Sequence, residues 1–437
     1  MTERVLPAPA AIDLSKLIRA GDTVIWGQAC AEPLTLTGAL AAQQHAVGPV
    51  RCFLGIGANG GVRLGPSESL GFVAYGGGGT TRRLDSAGVL DVLPSRYSDL
   101  PRLFETGRVP VDVVFVQLTP GDEPGTYHFA LAAEYLVAAA RAARVVIAEI
   151  NHGAPHSPDS PVLGAAEISA LVEADYDPAE LPTTPATESD LAIAAHVASI
   201  VPDGATLQMG IGALPEAALR GLSGHRDLGV HSGALGDAMA DLITSGVITN
   251  SRKTHDAGVS VCGVLLGTHH VFDLAHGNPA IGLRETSYTH DPRVLAGQPC
   301  LTTINAAVEI DLTGQINTEV AAGRYVGAAG GSLDFARGAS LSHNGVPIIV
   351  LRSTAAGRST IVADLSGPAA IPRSEAGWVV TEFGAVDLRG LTLSQRRERL
   401  LSVAHPDHRD ALAAVPSGPG ESRTAITTRS PRGKPVK

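Results

Sequence analysis

Two continuous apolar runs with a helix-like segment between them constrain the fold of this chain more than any other feature. The runs are VDVVFVQL (111–118) and ARVVIAEI (143–150), and FALAAEYLVAAARA (129–142) lies between them. Strands that are apolar on both faces are typical of a parallel sheet covered on both sides. The pattern therefore predicts a strand, a helix and a second parallel strand, which is the repeating unit of an α/β fold.

The second half of the chain shows the same alternation of short apolar strands and helices. A helix-like segment, ALGDAMADLITSG (234–246), lies among predicted strands that read TLQMG (206–210), LGVHS (228–232), VPIIVLR (346–352) and GWVVTEFG (377–384). The fold class we predict is therefore α/β, with two open α/β domains.

An internal repeat indicates that the two halves are related. Residues 21–40 read GDTVIWGQACAEPLTLTGAL, and residues 204–222 read GATLQMGIGALPEAALRGL. Gly27 matches Gly210 when the segments are aligned, and each segment reads as an apolar strand, a glycine-rich turn and a helix. A repeat spacing close to half the chain favours two copies of one α/β unit.

A change in composition marks the boundary between the halves. Residues 176–188, YDPAELPTTPATE, are rich in Pro and Thr without periodicity, as in a linker. Ser189 follows and is predicted to be the N-cap of a helix. We predict an N-terminal domain over 1–185 and a C-terminal domain over 189–414. The polar, basic segment 415–437 is broken by Pro and Gly and is predicted to be a disordered tail.

Composition excludes several classes of protein. Of the 437 residues 44% are apolar and 17% are charged, which excludes a disordered chain. No apolar run reaches the ~18 residues of a membrane-spanning helix, and the N-terminus lacks the apolar segment of a secretory signal. The four cysteines are scattered without a CxxC motif, so we expect a reduced, cytoplasmic protein. The net charge of −10 argues against nucleic acid as a partner.

A glycine-rich turn after a predicted strand is the first candidate for ligand binding. In open α/β sheets, ligands bind beyond the carboxyl ends of the strands. GIGALPEA (210–217) lies at such an end and opens a helix. Gly210, Gly212 and Ala213 are therefore candidate contacts for a phosphate group. A plain tight turn is the alternative interpretation.

Two further glycine-rich segments have similar alternatives. YGGGGTTRR (75–83) carries two arginines that would contact an anion, unless it is a flexible surface loop. AAGGSLDFARGA (328–339) has Gly330 and Gly331 side by side, and their backbone N–H groups would face a developing oxyanion. A β-bulge or turn is the alternative there.

Histidines supply the candidate acid–base groups. His231 ends the strand LGVH and His290 lies in the turn SYTHDP, and for each a structural role is the alternative. His152 and His156 in NHGAPH have no carboxylate or cysteine at ligand spacing, so no metal site is predicted. GASLS (338–342) lacks the second glycine of a nucleophile elbow, which argues against a serine hydrolase.

Seven motifs of the second half follow one another in an order that resembles a known family. They are GIGALPEAAL, LGVHS, DLITSGVITNSRK, YTHDP, EIDLTGQINTE, GGSLDFARGAS and VVTEFGAVDLRGLTLSQRRERLLSVAHPDHRDAL, within residues 200–412. This order is similar to that of the acetyl-CoA hydrolase/transferase family. These class I CoA-transferases include 4-hydroxybutyrate, butyrate and succinyl:acetate CoA-transferases. The first half resembles the family more loosely, through LDVLPSRYSDLPRLF, VDVVFVQLTPGDEPGTY and VVIAEIN.

The resemblance implies a fold, a substrate and a mechanism. It implies two open α/β domains with the active site between them, and acyl-CoA with its thioester near the GGSLDF loop. It implies a small carboxylic acid as the acceptor of CoA, no metal, and a homodimer or homotetramer. In the family mechanism a glutamate attacks the acyl-CoA, and a mixed anhydride and then a glutamyl-CoA thioester follow.

The sequence departs from the family pattern at the residues that carry this mechanism. In the family the strand LG-[IV]-H is followed by Thr-Glu, and that Glu is the nucleophile. Here Ser232 and Gly233 take those positions. His290 stands where the family has an asparagine that helps to hold the oxyanion, and Ala328 stands at the first glycine of the GxGG loop. Gly331, whose N–H points into the family's oxyanion hole, remains.

Three hypotheses follow from these departures. In the first, the protein is an acyl-CoA enzyme without the glutamate, with His290 as general base and the Gly331 N–H at the oxyanion. His231 would orient the site or act as the base instead. Ser232 would be a nucleophile only if one of these histidines activated it.

The second hypothesis retains CoA transfer, with the acceptor carboxylate attacking the thioester directly in a ternary complex. Alternatively, another carboxylate of the chain could replace the family glutamate. The candidates are Asp237, Glu285 and Glu319. The third hypothesis is a non-catalytic acyl-CoA-binding protein, in which the glycine-rich loops serve only to bind CoA.

Overall fold

The computed structural model describes residues 12–57, 64–416 and 418, and these fold into two α/β halves. None of the helices among these residues is long and apolar enough to cross a membrane. The segment predicted as a disordered tail, 415–437, lies outside the described residues except for residues 415, 416 and 418.

A nine-stranded sheet forms the N-terminal half. Strands Val113–Pro120 and Val145–Asn151 lie parallel to each other, with Val113 opposite Val145. Both are buried except at Pro120, which confirms the parallel strand pair expected from their apolar runs. The other strands are Thr23–Trp26, Val50–Leu54, Leu70–Ala74, Leu90–Val92, Thr126–Phe129, Val162–Gly164 and Ala170–Ala174.

A six-stranded sheet forms the C-terminal half, and five of its strands are parallel. In spatial order the strands are Gly229–Val230, Thr206–Met209, Leu301–Ala306, Val346–Val350, Trp378–Thr381 and the antiparallel Gly384–Asp387. Short strands outside this sheet are Ala234–Leu235, Ser260–Cys262, Val264–Leu265, Ile281–Leu283, Glu309–Asp311, Ile316–Asn317, Val320–Ala321, Arg324–Tyr325, Thr354–Ala355, Arg358–Ser359 and Ile361–Val362.

Helices connect the strands in both halves. The α-helices of the first half are Leu34–Val47, Arg82–Ser86, Leu100–Glu105 and Leu136–Ala142, with short 3₁₀ turns at Leu14–Lys16, Gly79–Thr81, Tyr97–Asp99 and Ala165–Glu167. Those of the second half are Glu188–Ala198, Ala213–Arg220, Asp237–Thr244, His269–Ala275, Thr286–Thr289, Pro292–Gly297, Ser332–Leu341, Leu393–Val403 and Pro406–Ala413.

The internal repeat corresponds to equivalent elements in the two sheets. Thr23–Trp26 and Thr206–Met209 are each flanked by two parallel neighbours, and each leads through a glycine-containing turn into a helix. The fold is therefore α/β with two open sheets, as the sequence predicts.

The helix predicted over residues 129–142 is only half formed. The α-helix begins at Leu136, and Thr126–Phe129 is an antiparallel strand. Between them the backbone bonds to the other half of the chain: Leu265 N–H donates to Leu131 O, and Ala133 N–H donates to Gly263 O. These long-range hydrogen bonds override the local helix propensity of an alanine-rich segment.

The expected linker, 176–188, has no long regular element, and a helix begins at Glu188. The prediction that Ser189 is the N-cap is wrong by two residues. The Thr187 side chain accepts from Asp190 N–H, and the Asp190 carboxylate accepts from Thr187 N–H in return. A capping box of this kind satisfies two backbone donors, whereas a single hydroxyl at Ser189 would satisfy one.

Candidate active site

A cleft of roughly 520 Å³ lies between the two halves. Loops at the carboxyl ends of strands from both sheets line it, among them Gln28 and Gly55 of the first half and Gly210 of the second. This is the position at which open α/β sheets bind ligands. We refer to this space below as the cleft.

Two helices begin at the cleft, and both begin at a glycine. Gly212 is the N-cap of Ala213–Arg220 and Gly331 is the N-cap of Ser332–Leu341, and neither helix has a side-chain cap. Their first backbone N–H groups therefore lack the usual side-chain acceptor and favour an anionic ligand.

The structure brings most of the predicted site residues to this one cleft. Those that line it are Gly210, Gly212, Ala213, His290, Gly330 and Gly331, together with Gly233 and Ala328. His231 and Ser232 are not among the lining residues, although they precede Gly233 directly. The two arginines of the loop 75–83 are exposed and do not line the cleft either.

The His290 imidazole fills the space beside two of these glycines. An ideal Cβ built on Gly233 would lie 3.1 Å from His290 Cε1, and one built on Gly331 would lie 2.5 Å from His290 Nε2. Real Cβ atoms do not approach a neighbour as closely as 2.5 Å. The absence of a side chain at Gly331 is therefore a requirement of this packing, and a side chain at Gly233 would press on the ring.

Aromatic rings hold His290 on its other sides. The centroid of its ring lies 4.5 Å from that of Phe335 and 5.0 Å from that of Tyr97. Thr289 Oγ1 lies 2.9 Å from Nδ1, whereas Nε2 has no hydrogen-bond partner within the described part of the chain. The single Thr289 hydroxyl proton can go to Nδ1 or to the Glu285 carbonyl oxygen, which lies 3.5 Å away. When it goes to the nearer Nδ1, the neutral ring carries its proton on Nε2, beside Gly331.

Burial, with a smaller contribution from His231, lowers the pKa of His290 to about 3. The ring is therefore neutral near pH 7, so it can donate a hydrogen bond but is a weak base. A neutral imidazole that donates a hydrogen bond to a carbonyl oxygen is an established electrophilic device in enzymes.

His231 and Ser232 hold the backbone of the site. The buried His231 ring has Nε2 3.2 Å from Thr289 O, and burial is the main cause that lowers its pKa to about 4. Ser232 Oγ accepts from Met209 N–H and Ala234 N–H, at 3.3 Å in each case. These contacts fix the turns that carry His290 and Gly233.

A buried carboxylate that sequence reasoning missed lies at the cleft. Glu134 is 1% exposed, and its Oε2 accepts from Gln28 Nε2 at 2.7 Å and from Tyr97 OH at 2.5 Å. Its Oε1 is buried and has no hydrogen-bond partner among the residues that the structure describes. Burial raises the pKa of Glu134 to about 7, so the group exchanges a proton in the physiological range.

The surroundings of Glu134 fix its orientation. Gln28 Oε1 accepts from Tyr75 OH at 2.6 Å and from Ile56 N–H at 3.0 Å, so the Gln28 amide must present its NH₂ group to Glu134. We call Glu134, Gln28, Tyr75 and Tyr97 the Glu134 cluster. Through the Tyr97 ring this cluster is in contact with His290.

Glu134 itself has an unusual backbone. Its φ of +24° is rare for a residue with a side chain. Its carbonyl accepts from Thr286 N–H, in the segment that leads to His290. Backbone strain of this kind persists where surrounding structure enforces it and is common at functional sites. In the sequence, the one feature that points to Glu134 is its position as an acidic residue inside the otherwise apolar run FALAAEYLV.

The three carboxylates that were candidates to replace the family glutamate do not line the cleft. Asp237 accepts from Thr268 N–H at 3.1 Å, and Glu285 pairs with Arg141. Neither these two nor Glu319 lines the cleft, whereas Glu216 does. Burial raises the pKa of Glu216 to about 7, and its Oε2 accepts from Ala238 N–H.

The structure defines an α/β protein with a cleft between the carboxyl ends of its two sheets. Sequence comparison then gives the family. Residues 9–160 match the family model described as the acetyl-CoA hydrolase/transferase N-terminal domain, and residues 267–415 match that of the C-terminal domain. The chain belongs to the acetyl-CoA hydrolase/transferase family.

Two similar proteins are named as CoA transferases. The chain is 35% identical over 339 residues to the 4-hydroxybutyrate coenzyme A transferase of Clostridium kluyveri, over 77% of this chain and 79% of the relative. It is 30% identical over 412 residues to the succinyl-CoA:cyclohexane-1-carboxylate CoA transferase of Geobacter metallireducens, over 92% and 93%.

Solved structures support the same fold. The crystal structure of RipA from Yersinia pestis superposes with a TM-score of 0.85 at 33% identity, and the match covers 92% of this chain and 94% of that one. The 4-hydroxybutyrate CoA-transferase of Porphyromonas gingivalis superposes with a TM-score of 0.76 at 30% identity, with the same coverage.

Proposed function

We propose that the protein acts on the thioester of an acyl-CoA by direct attack of an acceptor on the carbonyl carbon, without a glutamyl-CoA intermediate at residue 233. The observation that carries the proposal is the arrangement around His290. Gly233 and Gly331 lie against this ring, and the buried Glu134 lies behind Tyr97 on its other side.

The cleft offers no nucleophile at the position that the family resemblance assigns to glutamate. Gly233 has no side chain, and the adjacent Ser232 hydroxyl oxygen is held by two backbone N–H groups. An acyl-enzyme at residue 233 would require a side chain that glycine lacks. An acyl-enzyme at Ser232 would require a hydroxyl that is already hydrogen-bonded to the backbone. In this proposal the acceptor comes from solution.

Two donors converge where the thioester oxygen would become negative. Gly331 N–H makes no hydrogen bond within the described residues, and His290 Nε2 lies beside this glycine. Loss of one such donor costs about 3–4 kcal/mol of transition-state stabilisation in known enzymes. In this proposal His290 is an oxyanion donor and not the general base expected from its ordinary pKa.

The Glu134 cluster supplies the base in hydrolysis. A water attacks the carbonyl carbon and gives its proton to the Tyr97 oxygen, while the Tyr97 hydroxyl proton moves to Glu134. The tetrahedral oxyanion then collapses, the C–S bond breaks, and the CoA thiolate takes a proton back by the same route. A base whose pKa lies near the working pH is the most effective, and Glu134 meets this condition.

CoA transfer through a ternary complex is a second candidate function, and the names of the curated relatives favour it. The acceptor carboxylate attacks the thioester carbon and expels the CoA thiolate, which leaves a mixed anhydride in the cleft. The thiolate then attacks the acceptor carbonyl of this anhydride. A new thioester forms, and the original acid leaves. This route needs the oxyanion donors but no base.

The test is to incubate the protein with a panel of acyl-CoAs, with and without acetate or succinate. Free thiol and CoA esters are followed by mass spectrometry. The proposal predicts thiol release without any carboxylate, or a new CoA ester formed with sequential kinetics. Parallel double-reciprocal lines would contradict it, because they require an enzyme-bound intermediate. Thermal stabilisation by acyl-CoAs without turnover would favour a non-catalytic binding protein.

A further inference from the structure

A second group of chemically reactive side chains lies away from the lining of the cleft. Asp122 follows the strand Val113–Pro120, His128 lies on the strand Thr126–Phe129, and His156 lies on the loop after Val145–Asn151. One ligand atom from each of the three lies within 4.8 Å of the other two. We call these residues the Asp122 cluster. From these side chains we propose a binding site for a divalent transition metal ion, Zn²⁺ in the first instance.

The distances within the Asp122 cluster suit a metal better than direct hydrogen bonds. Asp122 Oδ2 lies 3.7 Å from His128 Nε2, and Asp122 Oδ1 lies 3.5 Å from His156 Nε2. With metal–ligand distances of about 2.0–2.1 Å, ligand atoms around tetrahedral zinc lie roughly 3.3 Å apart. Neither imidazole makes a hydrogen bond to the carboxylate. A small movement of the three side chains toward an ion would give the distances of a zinc site.

Hydrogen bonding at His128 Nδ1 determines the tautomer of the neutral ring, and so whether the nitrogen that faces Asp122 carries a lone pair. Ser160 Oγ donates its proton to Pro161 O at 3.3 Å and lies 3.1 Å from His128 Nδ1. This oxygen therefore accepts from Nδ1–H, and the neutral ring has its lone pair on Nε2. A metal-binding histidine usually has its other ring nitrogen held by an outer partner of this kind.

The lone pair of His128 Nε2 then faces a carboxylate oxygen, and two electron-rich atoms repel each other unless a cation lies between them. A proton is a poor candidate for that cation. The separation of 3.7 Å between Asp122 Oδ2 and His128 Nε2 is too long for a hydrogen bond that a proton would form. Two imidazoles and one carboxylate form a ligand set that zinc accepts, with a fourth position open to water.

The position of the site indicates a structural role. His156 is anchored to the other half of the chain, because its carbonyl accepts from Gly277 N–H at 2.8 Å. A metal on the Asp122 cluster would tie this loop to the strand Thr126–Phe129, which leads within five residues to Glu134. The expectation that no carboxylate stands near His156 considered only nearby positions in the sequence. Asp122 comes from a separate loop.

Zinc binding to the full-length, untagged protein tests the proposal. The protein is stripped with chelator and then titrated with Zn²⁺ against a chromophoric competitor. Asp122→Asn and His156→Gln each remove one ligand, and the Asp122 side chain is mostly exposed, so that variant is expected to fold. His152→Gln is the matched control, because His152 lies on the same loop but pairs with Glu173 at 2.7 Å.

The proposal predicts one tight equivalent of zinc and a rise in melting temperature on zinc addition. It predicts at least a tenfold weaker affinity in Asp122→Asn and in His156→Gln, with no change in His152→Gln. Failure to bind one equivalent would overturn it. An unchanged affinity in both ligand variants would also overturn it, because the bound ion would then lie on another surface pair such as His270 with Asp241.

Discussion

The two walls of the cleft are built in different ways. Around His290, the wall from the second half presents the main chain of Gly233 and Gly331, with the Phe335 ring beside the imidazole. The wall from the first half is made of interlocked polar side chains, the Glu134 cluster, whose amide, phenols and carboxylate fix one another.

This difference separates two chemical tasks. Backbone N–H groups and a neutral imidazole can stabilise negative charge but cannot hold a transferred proton near pH 7. A carboxyl group with a pKa of about 7 can hold one. Because the proposed oxyanion donors and the proposed base, Glu134, come from different halves of the chain, variants can impair one task and leave the other intact.

The largest expected effect is on the proton-accepting wall. Glu134→Gln keeps the size of the side chain and removes the base, so hydrolysis should fall by ~10²–10⁴-fold. In the parent protein the rate should rise with pH through about 7, since Glu134 must be deprotonated to accept a proton, and this rise should vanish in the variant. Steady-state assays from pH 5 to pH 9 measure both effects.

Glu149→Gln is the control for that experiment, because burial also raises the pKa of Glu149, to about 6, and this residue does not line the cleft. Its pH–rate profile should match that of the parent. A Glu134→Gln variant with the parent's rate and pH dependence would remove Glu134 from the mechanism.

The next effect is on the backbone wall. Gly331→Ala places a methyl group against His290 Nε2, so the ring and the loop must separate, and the rate should fall by ~10²–10³-fold. Gly224→Ala is the control, because no heavy atom lies within 4 Å of an added Cβ there. Turnover assays with melting curves measure the result, and equal activity of the two variants would argue against an oxyanion role for Gly331.

Substitutions of His290 distinguish a donor from a base. His290→Ala removes the Nε2 donor and should lower the rate by ~10²–10³-fold. His290→Asn restores an N–H donor without a titrating group and should retain activity within ~10-fold of the parent. If the asparagine variant is as inactive as the alanine variant, His290 acts as a base or as an essential packing group, and the donor assignment fails. The assay is turnover at a fixed pH above 6.

Ser232 should give the smallest effect. Ser232→Ala removes two hydrogen bonds of 3.3 Å to backbone N–H groups, which would lower stability by about 1–2 kcal/mol with turnover changed less than ~3-fold. Chemical denaturation and turnover assays check the two values. A loss of activity as large as that of Glu134→Gln would make Ser232 a nucleophile after all.

Local patterns allowed the fold to be predicted from the sequence. The runs at 111–118 and 143–150 are rich in Val and Ile, which favour strands that are buried on both faces of a sheet. The segment 129–142 could not be predicted in this way. Its first half is held out of a helix by hydrogen bonds to Gly263 and Leu265, and these contacts exist only after the two halves come together.

The same distinction applies to the site. Gly331 and His290 were predicted because they lie in GGSLDFARGAS and YTHDP, which resemble motifs of the family, and both line the cleft. Glu134 could not be predicted, because its raised pKa depends on burial beside Gln28 and Tyr97, which are 106 and 37 residues away in the chain. The low pKa of His290 is likewise a consequence of its burial between two aromatic rings.

A single turnover in H₂¹⁸O tests the central claim most directly. The protein, in excess over an acyl-CoA that it hydrolyses, is quenched after one turnover, and the free acid is analysed by mass spectrometry. Direct attack of water predicts one ¹⁸O atom in the acid. A covalent route through an enzyme carboxylate would place an unlabelled enzyme oxygen in the first molecule of acid, and an unlabelled acid would contradict the account.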